Sequence, residues 1–167
     1  MRILKQIAAF FLVVGLAACG GGDGKFQKYD GPAITQIVVY KGAHKMQMFH
    51  GNKIVKIYDV SLGFAPTGHK QFEGDGKTPE GAYRIDRRNP NSRYHLSLGI
   101  NYPNKADIAY AEAQGKEPGG DIFIHGKTGF GGKNIGDWTF GCIAVSDEEI
   151  EEIYAMVQDG TPIFIFP

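Results

Sequence analysis

Cys142 and His125 are the two side chains of this sequence best suited to covalent chemistry together. Each sits at the edge of a short apolar run. Ile122-Phe123-Ile124 delivers His125 into Gly126, and Thr139-Phe140-Gly141-Cys142 leads into Ile143-Ala144-Val145. A glycine-rich loop joins the two. A free thiol has a pKa near ~8.5, so only a few per cent is thiolate at neutral pH. A neighbouring imidazole can take that proton and later return it to a leaving amine. On this reading Cys142 is the nucleophile and His125 the proton acceptor and donor, and the thiol is expected to alkylate faster than a free cysteine at neutral pH. Gly141 lets the chain bend sharply before the nucleophile, and the amides of Gly141 and Cys142 are candidates to hold a tetrahedral oxyanion. The carbonyl of Gly126 is a candidate to accept from the other ring nitrogen of His125 and fix its tautomer. The ordinary alternative is a cysteine that is a small buried hydrophobe and a histidine that is merely well satisfied; spacing alone leaves both open.

His125-Gly126, followed by Thr139-x-Gly141-Cys142-Ile143, resembles the signature of the L,D-transpeptidase catalytic domain of the YkuD type. The segment Gly74-Asp75-Gly76-Lys77-Thr78-Pro79-Glu80-Gly81 resembles a second stretch of the same family. The resemblance covers roughly residues 34–166. It implies a mainly β fold, a sandwich or barrel-like catalytic domain with short helices. It implies a thioester acyl-enzyme on Cys142, peptidoglycan stem peptides as substrate, a role in cell-wall cross-linking, remodelling or cell shape, and no cofactor or metal. It also gives Thr139, Gly141 and Gly126 positioning or oxyanion roles. One position departs. Many members carry arginine two residues after the cysteine, where this chain has Ala144. An arginine there would anchor an anionic group, so the substrate contacts, and the choice between transfer and hydrolysis, stay open. Asp137 to Val145 resembles a subgroup in which alanine is usual, and the Tyr94-His95-x-Ser97-Leu98 run belongs to that likeness. His95 is therefore a candidate substrate-binding or supporting residue, with a purely structural role as the alternative.

The start of the chain reads as a leader. Arg2 and Lys5 precede an apolar run from Ile7 to Leu16 that is short for a membrane span. Leu16-Ala17-Ala18-Cys19-Gly20 resembles a bacterial lipobox. The expectation is a lipoprotein signal peptide over 1–18, a lipidated Cys19 with a flexible tether over 19–33, and a catalytic domain over 34–167. That places the protein in the cell envelope, anchored by lipid at the periplasmic face, in the outer membrane if the host has one. The alternatives are an ordinary secretory signal with Cys19 incidental, and a Cys19–Cys142 disulfide. An unpaired thiol in an oxidising compartment favours a working role for Cys142.

The remaining chain is long enough for one domain with a core. Acidic and basic residues balance, 18 against 18, so no electrostatic argument points to nucleic acid. The five histidines have no acidic or cysteine cluster around them; His95, His125 and Cys142 are the one set worth testing for metal. The oligomeric state is not specified.

The elements that must position the pair follow from patterning. Ile34 to Tyr40, Lys45 to His50 and Lys53 to Leu62 alternate as half-buried strands, with Gly51-Asn52 as a turn and Met46 and Met48 as core filling. His44 and His50 are expected at the surface. Gly63 to Gly81 is expected to be an exposed loop, and His69 within it has no assigned role. Ala82 to Asp86 and Arg93 to Ile100 read as strands. The second would place Tyr94, Leu96 and Leu98 in the core and aim His95 at the cleft. Lys105 to Lys116 and Asp147 to Val157 read as helices, the latter capped by Ser146 and Glu149. Thr161 to Phe166 is an apolar strand expected at the sheet centre.

Overall fold

The computed structural model describes residues 24–127 and 136–167. The expected leader, Cys19 and part of the glycine-rich loop before Asp137 lie outside the described residues. Strands β1 (Gln36–Tyr40), β2 (Lys45–His50) and β3 (Lys53–Asp59) form an antiparallel meander. Its alternation sends Ile37, Val39, Met46 and Met48 into the core, where all four are fully buried. The methionines fill the core, as their spacing predicts.

The long strand β4 (Gly81–Asn89) joins the two halves of the sheet. Its first residues pair with β8 (Pro162–Phe166) and its last with β5 (Ser97–Ile100). Between them the register slips: Ile85 faces Ile100 while Arg87 faces Gly99, so Asp86 is an extra, bulged residue. Such a bulge bends the strand and re-aims the side chains beside it. Strands β6 (Phe123–His125) and β7 (Ile143–Ala144) complete the sheet, in the order β3-β2-β1-β8-β4-β5-β6-β7. β8 lies between β1 and β4, at the centre, as expected. The sheet curls: Ser61, just past β3, exchanges two backbone hydrogen bonds with Ala144 of β7, at 2.9 and 2.8 Å. The described residues thus form a mostly β half-barrel with two short helices, in keeping with the mainly β, barrel-like fold that the resemblance implied.

Helix α1 (Lys105–Ala113) is capped by Asn104 and Asp107, and ends before Lys116 because the chain leaves the helix at Gln114 and Gly115. Helix α2 (Asp147–Met156) carries the expected reciprocal cap between Ser146 and Glu149 and buries Ile150, Ile153 and Met156 against the sheet.

Two expectations need correction. The strand expected from Arg93 begins only at Ser97, because His95 turns into a left-handed conformation (φ 72°) that no strand accepts. The region 63–81 is not simply exposed. Lys70 and Thr78 are buried within it, and the Asp75 carboxylate accepts from the amides of Gln71, Phe72 and Lys77 and from Lys70 Nζ. Burial alone would raise the Asp75 pKa, but these four donors outweigh it and hold the carboxyl below its usual range. His69 ties the same loop to α1, accepting from the Glu80 amide through Nδ1 and donating to Asp107 through Nε2.

Candidate active site

Strands β6 and β7 run parallel, with Ile124 opposite Ile143 and His125 opposite Ala144. Residues paired across a sheet share a face, and neighbours along a strand swap faces. Ile124 and Ile143 therefore enter the core, both fully buried. Phe123, His125 and Cys142 share the other face. The imidazole and the thiol thus stand on adjacent strands and line one cleft of about 270 Å3, together with Tyr94, Ser97, Asp121 and Phe123.

His125 is buried, and its Nδ1 lies 2.7 Å from the Gly126 carbonyl oxygen. A carbonyl can only accept, so Nδ1 carries the proton and Nε2 keeps the lone pair that a base needs. Burial lowers the imidazole pKa, outweighing the Gly126 carbonyl and the charge of Asp147, which raise it. The ring is neutral at pH 7. Tyr94 stacks on it at 4.4 Å and 24°, and Trp138 meets it edge-on at 5.7 Å and 70°. Gly126 is required for space. A Cβ there would lie 2.3 Å from Asp147 Oδ1 and 2.8 Å from the Tyr94 carbonyl oxygen.

Cys142 is half-buried, and its thiol donates to the Asp121 carbonyl oxygen at 3.5 Å. Burial pushes its pKa up to about 11; the Phe123 amide, Lys70 and Arg87 pull it back only in part, and the Asp121 charge adds to the rise. The resting pair is therefore thiol and neutral imidazole. Burial argues against the fast alkylation expected at neutral pH, because a desolvated thiol holds its proton more tightly.

Thr139 and Gly141 shape the turn before Cys142. Thr139 Oγ1 donates to the Cys142 carbonyl at 2.7 Å and accepts from the Gly141 amide at 3.2 Å. The Gly141 N–H is engaged there, so of the two expected oxyanion donors only the Cys142 amide remains a candidate. Gly141 sits at φ 125°, and a Cβ would lie 2.6 Å from the Lys77 carbonyl oxygen. Only glycine fits. Here the Lys77-Thr78-Pro79 stretch has its place: it backs the turn that carries Cys142, while Thr78 Oγ1, fully buried, accepts from the Gly63 amide. Asp137 pins the start of this turn, accepting from the Leu62 amide and from His44 Nε2. His44 keeps its side chain largely at the surface, as expected, while its Nε2 ties it to Asp137; His50 is exposed.

His95 is not in the cleft. Its Nε2 donates to the Glu151 carboxylate on α2 at 2.6 Å. The same left-handed turn that breaks the predicted strand swaps the two residues, putting Tyr94 beside His125. No sequence pattern signals such a swap; a pair of aromatic neighbours, Tyr94 and His95, was the one available hint. Among the described residues, no three His, Cys, Asp or Glu side chains come together as a metal ion would need.

The family model for the L,D-transpeptidase catalytic domain matches residues 34–165. This chain belongs to that family. Within it, the chain is similar to YafK of Escherichia coli (strain K12), 36% identical over 121 residues that make up 67% of this chain and 42% of YafK. Among solved structures it is similar to the helical cell shape determining protein Pgp2 of Campylobacter jejuni, at 29% identity and a TM-score of 0.62, covering 87% of this chain and 51% of Pgp2. An L,D-transpeptidase from Mycobacterium smegmatis shares the fold at 15% identity and a TM-score of 0.55, covering 81% of this chain and 59% of that one. The chain thus spans less than half of YafK and about half of Pgp2. Strands β6 and β7 lie within the region that the family model matches.

Proposed function

We propose that this L,D-transpeptidase-family domain is a cysteine acyl-transfer enzyme acting on the stem peptides of peptidoglycan. The observation that carries the reading is the shared cleft: a neutral imidazole with its free nitrogen fixed by Gly126, and a thiol on the neighbouring strand. His125 Nε2 takes the thiol proton as Cys142 Sγ attacks the carbonyl carbon of a peptide bond beside a D-amino acid. The Sγ–C bond forms, and the Cys142 amide donates to the oxyanion. The intermediate collapses, the C–N bond breaks, and His125 gives its proton to the leaving amine. An incoming amine or water then attacks the thioester carbon. It yields its proton to His125, which returns it to the departing sulfur. Amine attack makes a cross-link or attachment; water makes a trimmed peptide. Pgp2, a relative of related sequence, is a cell shape determinant, which supports a remodelling role in the wall.

We further propose the envelope setting read from the first residues: cleavage before Cys19, lipidation of its thiol, and an anchored domain facing the wall. Replacing Cys19→Ala should release the protein from the membrane fraction; retention there would contradict it.

Muropeptides incubated with the purified protein and analysed by mass spectrometry test the activity. Cross-linked products mark transfer and trimmed monomers mark hydrolysis. Binding without any product would reduce the protein to a wall-binding module.

A further inference from the structure

The cleft ends at Asp121, and an open groove of about 600 Å3 begins there, with Arg87 on its wall. Arg87 belongs to the same cross-strand row as the nucleophile. It pairs with Gly99, Gly99 pairs with Phe123, and Cys142 stands beside Phe123 on the next strand. Gly99 leaves the row open: a Cβ there would lie 2.4 Å from Arg87 Cγ. The arginine therefore lies across Gly99 with its guanidinium 4.5 Å from the centre of the Phe123 ring.

Its two ends are held differently. Asp86, the extra residue of the bulge, takes Nη1 with both carboxylate oxygens, at 2.9 and 3.0 Å. Nη2 meets Asp121 Oδ1 at 3.2 Å, and the Asp121 side chain is 92% exposed. Exposed ion pairs of this kind are worth little and exchange readily. One edge of the guanidinium is thus fixed in direction, and the other, toward the cleft, is covered by a replaceable carboxylate.

We propose that Arg87 is the carboxylate anchor for the residue on the amine side of the scissile bond, with Asp121 as the resident carboxylate that the substrate displaces. The inference rests on Cys142 being the nucleophile. Neighbouring strands lie about 4.8 Å apart, and one residue spans at most about 3.6 Å. The guanidinium lies over Phe123, one strand from Cys142, so the residue next to a carbonyl poised on Cys142 is the one nearest Nη2. The protein accordingly acts on the last residue of a peptide that ends in a free carboxylate. The same subsite would receive an incoming amino acid with its carboxylate on Arg87 and its neutral amine toward the thioester carbon.

The test compares a disaccharide tetrapeptide ending in a free carboxylate with the same molecule ending in a carboxamide. The purified protein should convert the acid at least about tenfold faster in kcat/KM. In Arg87→Gln that preference should fall to within about threefold, and Arg87→Lys should keep part of it. Asp121→Asn, tolerated at its left-handed backbone position (φ 53°), should lower KM for the acid because a neutral amide competes less well for Nη2 than a carboxylate does. These opposite signs cannot come from misfolding. Undiminished preference in Arg87→Gln, or a raised KM in Asp121→Asn, overturns the anchor. If instead Cys142→Ala still converts the acid, the nucleophile assignment itself is wrong.

Discussion

His125 and Cys142 make a resting pair whose protons sit where a neutral mechanism needs them. The depressed imidazole pKa predicts that the acid limb of kcat/KM falls below pH 6.5, the ordinary imidazole value; a limb above 6.5 would contradict burial as the dominant effect. The sign for stability is the same. The unfolded chain binds the proton more readily, so the contribution of His125 is complete above about pH 6.5 and is lost as pH falls through its lower folded value. The difference in urea midpoint between wild type and His125→Gln should therefore shrink on the acid side. The thiol at about 11 predicts iodoacetamide alkylation slower than that of a free cysteine at pH 7 and still climbing past pH 9. A midpoint near 8.5 would show the thiol to be solvated. At this scale the neighbourhood of His125 and Cys142, with Gly126 and the Thr139 turn, was expected from the family resemblance, because spacing alone left an unreactive buried pair open. Tyr94 and Arg87 were not. The first reaches the cleft only through a left-handed turn at His95, and the second comes to lie over Phe123 only through a bulge and a cross-strand gap at Gly99.

Two elements hold the site from opposite sides. Helix α2 starts where Gly126 packs on Asp147, and its first turn is closed by Ser146 and Glu149. Ser146→Ala should cost about 1 kcal/mol in chemical denaturation. It should also lower turnover, because Asp147 Oδ1 holds the Lys127 amide just beyond His125. Unchanged stability would mean that the cap is dispensable. On the other side, Gly141→Ala places a methyl group against the Lys77 carbonyl at a positive φ, and activity should fall by at least about a hundredfold if a shift near 1 Å displaces the nucleophile. Near-normal activity would show that the turn can move freely. The strands β1, β2 and β8 and both helices were readable because alternation, helical spacing and caps are local signals. Region 63–81 misled because Lys70, Asp75 and Thr78 look polar in sequence, and only the folded loop shows Lys70 paired with Asp75 and Thr78 holding the Gly63 amide.

The whole molecule is organised by one sheet that curls until the chain after β3 bridges β7. The central strand β8 joins the meander to the half that carries the site. Ile163 is fully buried there, and Ile163→Ala should destabilise by about 2–5 kcal/mol while leaving the pH dependence of the surviving folded fraction unaltered. The central position of β8 was legible from its unbroken apolar run, whereas the closure between Ser61 and Ala144, a contact distant in sequence, was not. The account turns on whether Cys142 forms a thioester. Intact-protein mass spectrometry after rapid acid quench, with a disaccharide tetrapeptide as donor, reads this directly. The wild-type protein should gain the donor mass less its terminal amino acid, on Cys142, and His125→Ala should gain far less in the same time. Turnover of the donor with no covalent adduct at any quench time, or persisting in Cys142→Ala, would contradict it.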